Sequence, residues 1–189
     1  AWVRAQGLAS ERVGVYGADV AIVDSIVAAG QACIERQGLP DVVIANAGIS
    51  VGMDTADRAD LDVMREVFAI NNVGLAATFH PFVAPMREAR RGRLAGIASV
   101  AGMRGIPGAG AYSASKSAAI TYLESLRIEL RPSGVKVVTV CPGYVATPMT
   151  AVNAYRMPFI LPADIAARRI GRVIERGRAY AVVPWQMAL

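Results

Sequence analysis

The sequence predicts an α/β fold: a doubly wound parallel sheet with helices on both faces, in three layers. Two observations predict it. Short β-branched runs alternate with longer segments of helical period along the 189 residues, the order that parallel strands joined by crossover helices require. Small and polar residues recur just after the apolar runs, at the strand ends where such sheets hold ligands. The chain reads as a single domain, residues 1–189, with no internal repeat, linker or low-complexity tract.

Residues 13–16 (Val-Gly-Val-Tyr) read as the first strand, preceded by a short helical tail. A helix is expected from about residue 20 to 37. Residues 41–45 (Asp-Val-Val-Ile-Ala) form a continuous apolar run, the mark of a strand buried on both faces. A long helix follows over 61–86, with Leu61, Met64 and Phe68 on one face. Residues 93–98 read as a strand and 111–130 as a helix, stopped by Arg131-Pro132-Ser133-Gly134. The last elements are a strand over 136–141, a helix over Ala163–Glu175 and a strand over 179–183.

Hydrophobic residues make up 54% and charged residues 19%, a balance that excludes a disordered chain. No stretch reaches the ~20 apolar residues of a membrane span, and the start, Ala1-Trp2-Val3-Arg4, lacks a signal-peptide pattern. Cys33 and Cys141 sit in apolar surroundings, which suits a reducing, cytoplasmic setting rather than a disulfide framework. The net charge is +5, and arginines cluster at 87–93 and 168–178. No aromatic residues alternate with them as a stacking surface requires, so they read as solvated helix faces, and no nucleic-acid partner is expected. His80 reads as a helix surface residue, and no metal ligand is assigned.

At the strand ends stand Asp19, then Asn46-Ala47-Gly48, then Ser99 and Gly102, then Pro142-Gly143 and Thr147. Glycine there removes the Cβ and lets a flat or charged ligand approach the backbone. The strongest local signal is Tyr112-Ser113-Ala114-Ser115-Lys116. On a helix, i and i+4 share a face, so the phenol and the ammonium point into one site. A cation ~4 Å away at an effective dielectric of ~20 favours the phenolate by roughly 4 kcal/mol. That lowers a phenol pKa from near 10 toward neutrality, where tyrosine works as an acid or base.

These features, in this order, resemble the short-chain dehydrogenases/reductases, and the likeness covers nearly the whole chain. Tyr112 and Lys116 match the family's Tyr-x-x-x-Lys pair. Ser99 matches the serine that closes the preceding strand. Asn71, in Ile70-Asn71-Asn72-Val73-Gly74, matches the asparagine three residues before a glycine in the long helix. Asn46-Ala47-Gly48 and the segment from Pro142 through Gly143 and Val145 to Thr147 match the stretches beside the cofactor. Among the departures, Gly96 and Ala98 replace a common Asn and Ser.

The resemblance implies a Rossmann-type domain that binds NAD or NADP and moves hydride between nicotinamide and a carbonyl or secondary alcohol. Tyr112 exchanges the proton, Ser99 orients the oxygen, and Lys116 lowers the Tyr112 pKa and bonds the nicotinamide ribose. Asn71 holds a water linking Lys116 to solvent, with its helix distorted there. Asp19 and Val20 are expected at the adenine and Thr147 at the carboxamide. The glycine-rich βαβ opening of the family, which needs roughly 30 or more residues, is not found before residue 13. The domain is therefore expected to be incomplete at its N-terminus, and at its C-terminus as well. A non-catalytic dinucleotide sensor on the same fold is the alternative; such proteins usually lose the tyrosine or lysine, and both are intact here.

The resemblance further implies a homodimer or homotetramer built on the helices at 61–86 and 111–130, the second offering Ile120, Leu123 and Leu126. Between Thr147 and Pro162 the chain carries Met149, Val152, Tyr155, Met157, Phe159, Ile160 and Leu161, with Arg156 the only formal charge. In the family this region covers the substrate, so an apolar carbonyl or alcohol is expected. The apolar tail Trp185-Gln186-Met187-Ala188-Leu189 reads as continuing toward the cleft or a membrane surface.

Overall fold

The computed structural model describes residues 7, 13–153 and 155–188. Its main sheet has four parallel strands, β1 (Val42–Ala45), β2 (Arg93–Ile97), β3 (Lys136–Pro142) and β6 (Tyr180–Val183), in that spatial order. Register runs Val42 to Arg93, Arg93 to Lys136 and Thr139 to Tyr180, so the carboxyl ends of all four strands lie along one edge. A small parallel pair, β4 (Val145–Ala146) with β5 (Leu161–Pro162), stands beside it, with the one-turn α5 (Pro148–Ala151) between them in the chain.

Alternation of side chains across β2 and β3 builds the layers. Leu94 and Val137 join Phe79, Phe82 and Met86 of α3 (Leu75–Ala89) and Ala119, Leu123 and Leu130 of α4 (Gly110–Leu130) in the larger core. Ala95, Val138 and Val140 face the other way, onto Ile174 of α6 (Ala163–Glu175). At Gly96 a Cβ would lie 2.5 Å from Leu123 Cδ1, so the glycine that departs from the family pattern is what lets α4 lie close on the sheet. Arg127 clamps the same contact, donating from Nε to the Val137 carbonyl at 3.0 Å and from Nη2 to Thr139 Oγ1 at 2.6 Å.

Several expectations are corrected. Residues 13–16 form no strand. Tyr16 donates to Gln37 Oε1 at 3.2 Å, holding the segment at the end of α1 (Val23–Gln37) rather than along the free edge of β1. Asp19 therefore ends no strand. It lies in the turn before α1, which starts at Val23 rather than near Val20, and Ala21 N–H donates to its Oδ1 at 2.9 Å. The long helix is not continuous. α2 (Asp60–Phe68) and α3 are joined by a π turn, Ala69–Gly74, and Gly74 there faces the Val20 carbonyl, 2.6 Å from where a Cβ would stand. The run Asp60–Ala89 is long and apolar enough by composition to cross a bilayer, but Leu75, Phe79, Phe82 and Met86 are buried in the core.

Leu123 and Leu126, expected to face a second subunit, are buried within the chain; the large apolar residues exposed on α4 are Tyr122 and Ile128. In the arginine clusters, Arg91 meets Asp41, Arg168 bonds Asp164 at 2.6 Å and Arg90 reaches the Pro132 carbonyl. His80 is exposed on α3. The helical tail expected before residue 13 lies outside the described residues apart from Gly7, as does Leu189 of the apolar tail. Of that tail, Trp185–Ala188 forms a 3-10 turn with Trp185 exposed and Met187 against Gly143.

Candidate active site

The strand-end edge brings the candidate residues together. Beyond β2, Ser99 is buried and caps the 3-10 turn Val100–Gly102, its Oγ accepting from Ala101 N–H at 3.1 Å. That turn carries Gly102 onto the backbone of α4 at Lys116. Tyr112 and Lys116 stand one turn apart on α4, and Lys116 Nζ lies 5.7 Å from the Tyr112 ring centroid. Lys116 is only 5% exposed, and its Nζ donates to the Ile97 carbonyl at 2.9 Å.

Burial pushes the Lys116 pKa down to about 8, with the nearby Cys141 thiol acting against it. The expected lowering of Tyr112 is not found. Burial raises its pKa, the Ser99 hydroxyl pulls it partly back, and the Tyr155 phenol raises it again. The cation lies over the ring and donates to the Ile97 carbonyl, and desolvation of the phenolate is the largest influence on Tyr112.

Asn71 lies in the π turn and is 1% exposed. Its Oδ1 accepts from Ile49 N–H at 2.9 Å, and its Nδ2 donates to the Ile49 carbonyl at 3.0 Å and to Ser115 Oγ at 2.9 Å. Asn71 thus ties the loop after β1 to α4. The helix distortion expected at Asn71 is this π turn, a widening common at functional sites. Asn72 adds a bond from Nδ2 to the Ser115 carbonyl at 2.9 Å.

A cleft of about 910 Å³ opens along this edge, and Asn46, Ala47, Gly48, Ser99, Tyr112, Lys116, Pro142, Gly143, Val145 and Thr147 all line it. Asp19 and Val20 do not. At Gly48 a Cβ would stand 3.2 Å from Asn71 Oδ1 and 3.3 Å from Lys116 Nζ, a close approach that glycine makes without crowding either group. The size, the glycine cradle and the mixed apolar and polar walls fit the nicotinamide half of a dinucleotide. Sequence reasoning missed the far wall, formed by Ala163, Ala166, Ala167, Ile170, Gly171 and Ile174 of α6. Their i, i+3, i+4, i+7, i+8, i+11 spacing was the signal available. A second, smaller cavity of about 100 Å³ lies against the first, and Ser99, Tyr112, Gly143, Met149 and Thr150 line both. Among the described residues, no group of His, Cys, Asp and Glu is placed to hold a metal.

A Rossmann-like α/β fold with serine, tyrosine and lysine converging at its strand ends is a frame shared by a family of oxidoreductases. The comparisons agree: the model of the short chain dehydrogenases matches residues 1–156, and the chain belongs to that family. It is 39% identical over 171 residues, 90% of the chain, to an uncharacterised oxidoreductase of Myxococcus xanthus. Over 141 residues, 71% of the chain, it is 36% identical to a 3-ketodihydrosphingosine reductase of Bacteroides thetaiotaomicron. The matched stretches span 67% and 51% of those proteins, so the chain covers between half and two thirds of their length. Among solved structures, a 3-oxoacyl-[acyl-carrier protein] reductase with bound NAD from Brucella melitensis superposes with a TM-score of 0.79 at 29% identity. That match covers 96% of this chain and 73% of the other.

Proposed function

We propose that this chain carries the catalytic half of an NAD- or NADP-dependent reductase that converts a ketone to a secondary alcohol, on substrates with an apolar body. One observation carries the reading: Ser99 and Tyr112 form part of the wall shared by two cavities, one large enough for a nicotinamide and the other small. A carbonyl held in the small cavity lies against both hydroxyls. The dinucleotide, when bound, supplies the hydride that the carbonyl carbon accepts. Tyr112 gives its hydroxyl proton to the oxygen as the C=O π bond breaks, and Ser99 holds that oxygen in place. Burial holds the Tyr112 pKa above its ordinary value, so the phenol carries its proton near neutral pH, the form that donates to a carbonyl oxygen. Lys116, half charged near pH 8, bonds the nicotinamide ribose. Asn46, Ala47, Gly48, Pro142, Gly143, Val145 and Thr147 line the dinucleotide side. Asn71 sets the loop that carries Gly48.

Two relatives are named for reduction of a 3-oxo or 3-keto group, which supports a ketone of that type. Met149 and Tyr155 line the small cavity, consistent with an apolar substrate, while Val152 and Phe159 are exposed. The alternative of a non-catalytic dinucleotide sensor is disfavoured by the intact, converging Ser99, Tyr112 and Lys116. The test is turnover by the full-length protein of a chain-length series of ketones with NADH and NADPH. Efficiency should rise with apolar length; efficiency highest for a small charged substrate would overturn the reading.

A further inference from the structure

Resting on that reading, we propose that Thr150 is a positioning residue for the dinucleotide, setting the segment Val145–Thr147 through a single hydroxyl. Among the described residues, β4 pairs with β5 alone. On that side the Tyr144 carbonyl accepts from Leu161 N–H at 3.0 Å. Main-chain groups of successive residues in a strand turn to opposite sides. Those of Val145 and Thr147 therefore turn away from β5, where no third strand pairs with them.

The Thr150 side chain takes that place. Its Oγ1 donates to the Val145 carbonyl at 2.6 Å and accepts from Thr147 N–H at 3.1 Å, with the Thr147 carbonyl a longer second acceptor at 3.1 Å. One residue of a third parallel strand would make the same two bonds, to the carbonyl before a given residue and from the amide after it. A hydroxyl can make both because it is donor and acceptor at once. The contact is reciprocal: Thr147 caps α5, its side chain accepting from Thr150 N–H. A hydroxyl that accepts there still has its own proton to give, and Thr147 lines the large cleft.

Val145 also lines the large cleft, and Thr150 lines both cavities. The wall on the dinucleotide side is thus shaped before any ligand arrives. Without the Thr150 hydroxyl, Val145–Thr147 keeps only its short pairing with β5 and has to be ordered as the dinucleotide binds, a cost taken from affinity. Valine matches threonine in shape and makes neither bond, whereas serine makes both.

The experiment uses the full-length protein and measures Kd for NADH and NADPH by calorimetry, with urea midpoints alongside. In Thr150→Val, Kd for the dinucleotide that wild type binds more tightly should rise about tenfold, the size of one such bond lost. KM for that dinucleotide should rise with it, while kcat changes less. Thr150→Ala, a second variant without the hydroxyl, should match Thr150→Val, and Thr150→Ser should return Kd close to the wild-type value. A lowered urea midpoint with unchanged Kd in the valine and alanine variants would show a merely structural contact and overturn the assignment. A Thr150→Ser protein that binds no more tightly than Thr150→Ala would overturn it too, leaving the proposed function standing in both cases. A wild-type protein that binds neither dinucleotide overturns the proposed function, and this inference with it.

Discussion

Gly102→Ala is the most informative single substitution because the structure fixes what the new methyl meets. A Cβ on Gly102 would lie 2.6 Å from the Lys116 carbonyl carbon, 2.8 Å from its oxygen and 2.8 Å from Ser117 N. All three are main-chain atoms of α4, and none can turn aside as a side chain could. Ordinary contact begins at 3.4 Å, so the turn after Ser99 and the helix must part by most of an ångström. Overpacking of this kind costs about 1–3 kcal/mol, within the 5–15 kcal/mol typical of a folded domain. The variant should therefore fold with a lower urea midpoint. The displacement falls between Ser99 and Lys116, where a misplacement near 1 Å costs on the order of 100-fold in rate. The expected result is a loss of 10- to 100-fold in kcat/KM, estimated on that basis. Gly105→Ala is the control, since nothing lies within 4 Å of its added carbon. A Gly102→Ala protein matching Gly105→Ala in both midpoint and kcat/KM would refute the reasoning.

Other substitutions probe the remaining parts. Tyr112→Phe should abolish ketone reduction and leave the circular dichroism spectrum unchanged, since only the hydroxyl is lost; turnover near wild type would end its assignment as proton donor. Lys116 has a folded pKa near 8 against 10.5 for the free side chain, so between these values the unfolded state holds more protons and stability rises with pH. In urea titrations, Lys116→Met should gain less stability than wild type between pH 8 and pH 10.5; equal gains would contradict the burial argument. Arg127→Met should lower stability by about 1.5–3 kcal/mol, as for a lost charged hydrogen bond, with Thr139 left fully buried; a change under 0.5 kcal/mol would show that the clamp contributes little. The exposed Tyr122, beside Val23, Val27 and Val73 in a groove on the outer helices, should lie at a subunit contact. Tyr122→Glu should then reduce the mass measured by light scattering, and a monomeric wild type would dismiss the contact.

Much of the fold was legible because the central strands are continuous apolar runs. Val42–Ala45 is the strand expected, but it is buried only at Val43 and Ala45, with Ile44 half exposed and lining the cleft, whereas Val137–Cys141 is buried throughout. Residues 13–16 carry the same β-branched signal and form no strand, because whether such a run pairs depends on contacts distant in sequence that local composition does not hold. Tyr16 bonds to the end of α1 instead. The site was legible as a spacing. Tyr112, Lys116, Ser99 and the loop residues at 46–48 and 142–147 do converge, since parallel strands deliver their following loops to one edge. The Tyr112 environment was not legible. Spacing puts an ammonium nearby, but the direction of the pKa shift depends on how deeply the phenol is buried and where Nζ points. The α6 wall was missed because alanine and glycine carry no chemistry of their own.

The short β4–β5 pair has a consequence for how this protein can change. Val145 pairs with Leu161 and Ala146 with Pro162, and Leu161 N–H donates to the Tyr144 carbonyl at 3.0 Å. The two ends of segment 147–160 are thereby stapled together beside the reacting groups. With the ends already joined, doubling the loop between them costs only about 0.6 kcal/mol in chain entropy. The segment behaves as a cassette in a fixed socket. Changes inside it are expected to leave the main sheet and α4 where they are, because the staple at 145–146 and 161–162 holds its ends. They reach the site only through the walls that Thr147, Met149, Thr150 and Tyr155 supply.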